Sequence, residues 1–252
     1  MNSQIIIKDC LVSYSSQGQE KADYCLLFLH GWRSAKEIWQ PVMSKLSIVN
    51  CQLLALDLPG FGSSPAPKQP WTVGDYAEVV KGFIEKLELK NVILVGHSFG
   101  GRVGIKLAAK YPDLINKLVL VDSAGFAMPS PRKSVLATAA KIAKPFFKPK
   151  FMQGLRKKIY KTMGAEDYVA TPELQKTFIN IVSEDLTEDI KRIKTPTLII
   201  WGADDEETPV EFGKKMNSLI LNSKFLLLPK AGHFSFLDQT EGFVKSITEF
   251  VN

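Results

Sequence analysis

Six short apolar runs recur along the chain, and they restrict its fold more than any other feature of the sequence. Each is long enough for one strand, and most end in a glycine or a turn: YCLLFLHG (24–31), CQLLALDLPG (51–60), NVILVGHS (91–98), KLVLVDSAG (117–125), TPTLIIWG (195–202) and KFLLLPKAG (224–232). Several are apolar throughout rather than alternating. This pattern is typical of strands in a parallel sheet that helices cover on both faces.

Helical patterns lie between these runs, at 35–47, 72–88, 100–110, 209–219 and 240–251. Such alternation of strands and helices predicts a doubly wound α/β sheet. The N-terminal segment QIIIKDCLVSYSSQG (4–18) has the pattern of one strand and the start of a second. It therefore predicts an antiparallel hairpin at the edge of the sheet.

The stretch from residue 126 to residue 192 interrupts the alternation. It contains no convincing core strand, and five prolines punctuate it: Pro129, Pro131, Pro145, Pro149 and Pro172. A connection of this length predicts helical structure of its own. Its apolar residues fall at roughly helical spacing, and residues 126–163 hold ten Lys or Arg and no Asp or Glu. We interpret this stretch as an amphipathic helical insertion.

The charge and cysteine content disfavour several classes of protein. The net charge is +6, and because residues 126–163 contribute +10, the remainder sums to −4. This local basicity carries no recognised motif, so we expect no nucleic-acid partner. From MNSQIIIKDC at the start of the chain we expect no secretory leader, and because no run approaches the roughly 18 apolar residues of a membrane helix we expect no integral membrane segment. No C-x-x-C pair occurs among the three cysteines, which gives no sign of a metal site and favours a reducing cytoplasm.

Residues 94–101, LVGHSFGG, place a serine between glycines where an apolar strand ends and a helix begins. A strand, a tight corner and a helix would expose Ser98 at the tip of the sheet, as an exposed nucleophile requires. Gly96 and Gly100 would remove side chains that collide at such a corner. A serine hydroxyl needs a base during attack, and histidine is the usual one because its pKa lies near neutrality.

The chain has three histidines, and their positions distinguish them. His97 is adjacent to Ser98, so the two side chains diverge at a tight corner, and His30 ends a strand, where a buried role is favoured. His233 follows the last strand in KAGHFSF and is free to sit in a loop at the same sheet edge. We predict that it is the base. The base needs a carboxylate partner, and the candidates at strand ends are Asp57, Asp122, Asp204 and Asp205.

Five segments together resemble the α/β-hydrolase superfamily, in that family's order and at its separations: LHGW (29–32), DLPGFGSS (57–64), GHSFGG (96–101), WGADDEETP (201–209) and AGHF (231–234). The likeness covers nearly the whole chain. It implies a doubly wound, mostly parallel eight-stranded sheet with a helical cap. Residues 1–125 and 193–252 would form the core, and residues 126–192 would form the cap, or lid.

Carried over by position, the resemblance implies Ser98 as nucleophile, Asp205 as acid and His233 as base. The acid assignment follows the family's G-x-x-D-x-x-x-P pattern in WGADDEETP. Asp122 remains an alternative, because some relatives place the acid after the preceding strand. Asp204 is interpreted as a solvated turn carboxylate, and the loop of DLPGFGSS as a structural turn without a catalytic role.

The developing negative charge on an attacked carbonyl needs hydrogen-bond donors that are already in place. The backbone N–H of Phe99 is one candidate, since it directly follows the nucleophile at a helix N-terminus. By resemblance, the backbone N–H of Trp32 is the other, and the two aromatic side chains would shape an acyl pocket. Further residues are predicted to bind substrate: His30, Gly31, His97, Phe126 and Phe234.

These residues favour a serine esterase that cleaves small or medium-sized carboxylic esters through an acyl-enzyme on Ser98, without cofactor or metal. The nearest alternative is a carbon–carbon bond hydrolase of the same family that acts on vinylogous diketones. Those relatives commonly have asparagine before the serine and tryptophan after the catalytic histidine, where this chain has His97 and Phe234. A lactonase, a thioesterase and a non-catalytic ligand receptor also remain open. We expect a cytoplasmic monomer or weak homodimer.

Overall fold

The apolar runs form the parallel strands of one sheet in the computed structural model, which describes residues 2–20, 22–48, 50–127 and 172–251. The strands in these residues are β1 (Asn2–Ile7), β2 (Cys10–Gly18), β3 (Tyr24–Leu29), β4 (Cys51–Leu56), β5 (Val92–His97), β6 (Lys117–Val121), β7 (Thr197–Gly202) and β8 (Ser223–Leu228). Their order in the sheet is β1-β2-β4-β3-β5-β6-β7-β8. Only the β1–β2 and β2–β4 pairs are antiparallel. The predicted mostly parallel sheet and its edge hairpin are therefore confirmed.

The central strands are buried on both faces, which explains why their sequences are continuously apolar. Every residue of β5 and β7 is buried. Alternate residues serve opposite faces: Leu27 and Leu94, paired in register, belong to one apolar cluster, whereas Phe28 and Val95 belong to the other. The sheet therefore separates two hydrophobic cores, as expected when helices cover both sides.

Helices connect the strands: α1 (Gln40–Met43), α2 (Val73–Lys86), α3 (Phe99–Lys110), α4 (Gln175–Ser183), α5 (Thr187–Arg192), α6 (Val210–Leu219), α7 (Ser235–Asp238) and α8 (Thr240–Val251). Four of the five predicted helices agree to within two residues at each end. The exception is 35–47, where a 3-10 turn (Lys36–Trp39) precedes the single short turn of α1. There the Lys36 N–H donates to the Asp57 carboxylate, outside any helical pattern. No helix in the described ranges has the length and apolarity that a membrane crossing requires.

Most of the predicted insertion, residues 128–171, lies outside the described residues. The described ends of the insertion are held together, because Leu186 N donates to Gly125 O at 2.9 Å and Ala127 N donates to the Asp185 carboxylate at 3.0 Å. The segment that follows β6 and the segment that precedes β7 are therefore in contact with each other. The division into a core and a cap at residues 126 and 192 stays a prediction.

Candidate active site

Ser98 occupies a sharp corner between the end of β5 and the start of α3. Its backbone angles are φ 50° and ψ −108°, a sparsely populated conformation for a residue with a side chain, which costs about 1–3 kcal/mol. Hydrogen bonds hold the corner, from Ser98 N to Val121 O at 3.0 Å and from Gly101 N to Ser98 O at 3.1 Å. The strand–corner–helix arrangement predicted from LVGHSFGG is therefore present.

Two glycines permit this corner. A Cβ on Gly96 would lie 2.5 Å from the carbonyl oxygen of Gly100, and a Cβ on Gly100 would lie 2.4 Å from that of Leu29. Both obstacles are backbone atoms, which cannot rotate away as a side chain can. The predicted role of Gly96 and Gly100, to leave room where strand and helix meet, is therefore confirmed.

Asp205 and His233 form a hydrogen-bonded pair at the carboxyl edge of the sheet. Asp205 follows β7 and His233 follows β8, and because these strands are parallel neighbours their following loops meet. His233 Nδ1 lies 3.0 Å from Asp205 Oδ2. The same carboxylate accepts hydrogen bonds from Thr208 Oγ1 at 2.6 Å and from Glu207 N at 2.8 Å. The arrangement fixes the proton of the imidazole on Nδ1 and leaves Nε2 as the basic nitrogen.

The pKa values of Asp205 and His233 shift in opposite directions because each group stabilises the charged form of the other. Burial raises the pKa of Asp205, but hydrogen bonds from His233 and Thr208 outweigh this effect and hold the pKa below its ordinary value. For His233 burial lowers the pKa, yet the Asp205 carboxylate more than compensates and raises it above the usual 6.5. On the other side of the ring, Glu207 Oε2 lies 3.5 Å from Nε2 and its side chain is 67% exposed.

His97 connects the Ser98 corner to the loop that carries His233. The Nε2 atom of His97 lies 2.8 Å from the carbonyl oxygen of His233, and the two imidazole rings have centroids 4.8 Å apart. Within the described residues, no hydrogen bond joins Ser98 Oγ to His233 directly. The structure thus brings Ser98, Asp205 and His233 to one edge of the sheet, and His97 lies between the corner of Ser98 and the loop of His233.

Asp122, the alternative acid, contacts other groups. Its carboxylate accepts hydrogen bonds from Gly202 N at 2.7 Å and from the Ser235 backbone and hydroxyl. Burial raises its pKa to about 7. Asp122 therefore links β7 to the segment after His233, whereas Asp205 is the carboxylate hydrogen-bonded to the imidazole. The Asp204 side chain is exposed, as the sequence interpretation expected.

His30 is fully buried and holds the loop that carries Trp32. Its Nε2 accepts the N–H of Leu58 at 3.0 Å, so its proton must sit on Nδ1, which lies 2.7 Å from the carbonyl oxygen of Gly31. In a planar trans peptide the C=O and the following N–H point in opposite directions. The Trp32 N–H is therefore directed away from His30. Both ring nitrogens of His30 are therefore engaged within the protein and hold this loop, and contact of His30 with a substrate stays a prediction.

Behind this loop lies a buried ion pair that the sequence did not indicate. Lys36 Nζ lies 2.7 Å from Asp57 Oδ2, and their side chains are 3% and 0% exposed. Asp57 also accepts the backbone N–H groups of Lys36 at 2.8 Å and Ser63 at 2.9 Å. This agrees with the interpretation of DLPGFGSS as a structural turn. Nothing in the pattern around Lys36 distinguishes it from an exposed lysine.

Aromatic rings lie around the loop that carries Trp32 and the loop that carries His233. The indole of Trp32 packs against Phe61, Phe99 and Phe178, with ring centroids 4.8 to 5.4 Å apart. Phe234 is 39% exposed and lies 5.1 Å from the His97 ring and 5.5 Å from the His233 ring.

Phe126 lies elsewhere, buried against Phe212 with Lys215 Nζ 4.1 Å from its ring centroid. Of these two phenylalanines, Phe234 adjoins the site and Phe126 packs in the core. Contact of either with a substrate stays a prediction, as it does for the buried Gly31. In the described ranges no three His, Cys, Asp or Glu side chains are grouped so that they could hold a metal ion.

Comparison with known proteins places this site in context. The sequence model of the alpha/beta hydrolase family matches residues 26–246. The chain is 28% identical over 243 residues to a pimeloyl-[acyl-carrier protein] methyl ester esterase of Legionella pneumophila, covering 90% of this chain and 94% of that protein. It is 27% identical over 229 residues to a 2-hydroxy-6-oxo-2,4-heptadienoate hydrolase of Pseudomonas putida, covering 84% and 82%. A solved esterase from Exiguobacterium antarcticum superimposes with a TM-score of 0.79 at 22% identity, over 100% of this chain and 99% of its own; this last likeness concerns the fold.

Proposed function

The chain belongs to the alpha/beta hydrolase family, and we propose that it is a serine hydrolase that cleaves carboxylic esters of small or medium-sized substrates through an acyl-enzyme on Ser98. The observation that carries this proposal is the hydrogen bond between Asp205 and His233, at the sheet edge where the strained Ser98 corner also lies. An imidazole that a carboxylate holds in place near a serine at a strand–helix corner is the arrangement that activates the serine hydroxyl for attack.

Acylation begins when Ser98 Oγ attacks the ester carbonyl carbon and His233 Nε2 takes the hydroxyl proton. Asp205 stays ionised, because its pKa lies below the ordinary value, and it stabilises the imidazolium that forms. The carbonyl π electrons move to oxygen and return when the C–O bond to the alcohol breaks. The departing alkoxide takes the proton from His233, which leaves an acyl group on Ser98.

Deacylation repeats these steps with water in place of serine. His233 removes a proton from water as the oxygen attacks the acyl carbon, and the Ser98 oxygen leaves with that proton. The products are one carboxylic acid, one alcohol and the free enzyme. Neither half of the reaction requires an electron carrier or a metal ion.

The two backbone N–H groups of Trp32 and Phe99 are proposed to stabilise the oxyanion in both halves. Phe99 is the first residue of α3, where the N–H groups of a helix are not used within it. Trp32 N–H takes its direction from the His30–Gly31 hydrogen bond. Donors of this kind are each worth about 10²–10³ in kcat, since they meet charge that develops only during the reaction.

The substrate is proposed to have an apolar acyl or alcohol group. The aromatic side chains of Trp32, Phe99 and Phe234 adjoin the two loops, and such surfaces bind apolar groups by removing them from water. The methyl ester esterase of Legionella pneumophila, at 28% identity, supports the choice of ester chemistry. The heptadienoate hydrolase of Pseudomonas putida keeps carbon–carbon bond hydrolysis as the rival to be tested.

The decisive experiment is a panel of p-nitrophenyl esters of increasing acyl length, with a vinylogous 1,5-diketone, a lactone and a thioester measured beside it. We expect ester hydrolysis to have the highest kcat/KM and Ser98→Ala to abolish it. Preferred cleavage of the diketone would replace the ester proposal by the carbon–carbon alternative. Ligand binding without turnover of any compound would favour a receptor.

A further inference from the structure

His97 contacts each of the three segments that the proposed mechanism requires. It directly precedes Ser98, and its ring is 1% exposed. The ring packs against Phe236 at 5.0 Å and Phe234 at 5.1 Å between centroids. The ring therefore lies in an aromatic environment. Its two nitrogens then face two different loops.

The first loop is that of the base. His97 Nε2 is 2.8 Å from the His233 carbonyl oxygen, and because a carbonyl only accepts, Nε2 carries the proton of the His97 ring. His233 is thus held twice: its side chain by Asp205 and its backbone by His97. The contact with His97 fixes the position of the His233 backbone, and the contact with Asp205 fixes the orientation of the His233 ring.

The second loop is that of Trp32. A Cβ added to Gly31 would lie 2.9 Å from His97 Nδ1 and 3.4 Å from the Cβ of Ser98. The glycine therefore lets the loop lie directly on the His97 ring. The Nδ1 atom is buried without a hydrogen-bond partner, so the ring packs against the Trp32 loop without a hydrogen bond, whereas its Nε2 atom is hydrogen-bonded to the His233 loop.

We propose that His97 is a positioning residue that keeps the base loop, the Trp32 loop and the Ser98 corner in register. This inference rests on the proposed function, because register matters only if these groups react together. His97 is not itself an acid or base in the reaction. Burial, with a smaller contribution from the nearby His233, lowers its pKa to about 3, so the ring stays neutral at working pH.

Loss of the hydrogen bond between His97 and the His233 backbone should change the pKa of His233. That ring is faced by Asp205 and Glu207 from the loop after β7, by Asp122 at the end of β6, and by His97. Among these, the Asp205 contact raises its pKa most. If the His233 backbone is released, the ring loses its alignment with Asp205, and its pKa falls. A residue with a merely structural role would not move this value.

Three variants separate the hydrogen bond from the packing. His97→Phe keeps an aromatic ring but removes the donor, and we expect kcat to fall about 100-fold with little change in KM, as misplacement of a reacting group does. His97→Gln restores an N–H that can reach the carbonyl, and we expect kcat within about 10-fold of wild type. Phe236→Leu is the matched control, since it loosens packing on the same ring but leaves the hydrogen bond. We expect it to lower Tm while kcat stays near wild type.

The same variants are read out without activity by NMR titration of the imidazole signals. Only three histidines occur in the chain, so His30→Phe and His97→Phe suffice to assign the His233 signal. We expect its midpoint to shift to lower pH in His97→Phe and to recover in His97→Gln. An unchanged midpoint, or equal losses of kcat in His97→Phe and Phe236→Leu, would overturn the proposal.

Ester hydrolysis tests the proposed function, whereas the NMR midpoint of His233 tests the role of His97, so the two can fail separately. If the wild type hydrolyses no ester, the proposed function is wrong, and the His233 midpoint still reports whether His97 positions the base loop. Gly31→Ala tests the contact from the opposite side and keeps both imidazoles. We expect its added methyl group to push the His97 ring and shift the same His233 midpoint, and an unmoved midpoint would contradict the three-way contact.

Discussion

Two buried polar networks flank the Ser98 corner, and they differ in whether their protons can move. On the side of the proposed oxyanion donors (the oxyanion side), the buried Lys36 and Asp57 side chains form an ion pair, and His30 has both nitrogens engaged. On the side of the proposed base (the base side), Asp205 is hydrogen-bonded to His233, and this carboxylate raises the pKa of His233 above its ordinary value. One network has fixed charges and orients backbone, whereas the other can exchange a proton.

The difference follows from the residues that neutralise each buried carboxylate. Asp57 faces a lysine and backbone N–H groups, and together these lower its pKa despite its burial. Burial is also the largest effect on His30 and lowers its pKa. Asp205 instead faces an imidazole, whose proton can leave near neutral pH. The comparison therefore predicts that substitutions on the two sides have different signatures.

The largest effect is expected on the base side, from Asp205→Asn. The amide cannot hold His233 in its reactive tautomer or stabilise the imidazolium, so kcat should fall about 10⁴-fold, as in other serine–histidine–aspartate enzymes. Steady-state hydrolysis of the best ester in the panel measures this. Asp204→Asn is the matched control, because the neighbouring carboxylate is exposed, and it should retain wild-type kcat. Equal losses in the two variants would remove Asp205 from its proposed role.

The next largest effect is on stability and belongs to the oxyanion side. Asp57→Asn removes the buried carboxylate and leaves Lys36 with only the exposed carboxylate of Glu37, at 2.8 Å, which should lower the free energy of unfolding by about 3 kcal/mol, the low end of the cost of breaking a buried pair. Urea denaturation followed by circular dichroism measures the change. The control is Lys81→Met, which breaks the more exposed Lys81–Glu85 pair and should cost less than about 1 kcal/mol. Similar losses for both variants would contradict the special status of the buried pair.

His30→Phe tests whether His30 orients the Trp32 N–H, and the measurement is the kcat of ester hydrolysis. Loss of the Gly31 contact frees the Trp32 peptide to rotate, and we expect kcat to fall about 10²-fold, the cost of one oxyanion donor. The midpoint of the kcat/KM acid limb should stay where it is in the wild type, because His30 does not contact His233. A midpoint displaced in this variant would show that the two networks are coupled.

The smallest effect concerns the position of that acid limb. In the wild type, kcat/KM should rise with pH through a midpoint above 6.5, because the base must be neutral and the pKa of His233 is raised. Glu207→Gln removes a negative charge near Nε2, so the midpoint should move slightly to lower pH. Since Glu207 is exposed, added salt should reduce the difference between the two profiles. A shift to higher pH would contradict this sign.

Sequence patterns anticipated the fold better than the fine structure of the site. Continuous apolar runs identified six strands, and in five of them burial on both faces leaves few other residues possible; β8, at the edge of the sheet, is apolar although part of it is exposed. The predicted 35–47 helix was too long, because its pattern could not show that a 3-10 turn precedes α1 or that α1 ends at Met43.

Within the site, residue order could not distinguish two carboxylates that both follow parallel strands. Asp122 and Asp205 come into the same neighbourhood, and only the direction of their side chains decides which one meets His233 Nδ1. Likewise, adjacency to Ser98 suggested that His97 points away from the reaction. In the structure the His97 ring reaches the backbone of His233, the proposed base. Such contacts depend on loops that are distant in sequence.

The central claim, that Ser98 is a nucleophile activated by His233, is tested most directly by mapping a covalent adduct. The folded protein is incubated with a fluorophosphonate, digested and analysed by mass spectrometry, beside Ser98→Ala and His233→Ala. The account predicts a single adduct on the peptide that contains Ser98, absent in Ser98→Ala and formed far more slowly in His233→Ala. Absence of an adduct on folded wild-type protein, or equal labelling rates with and without His233, would contradict it.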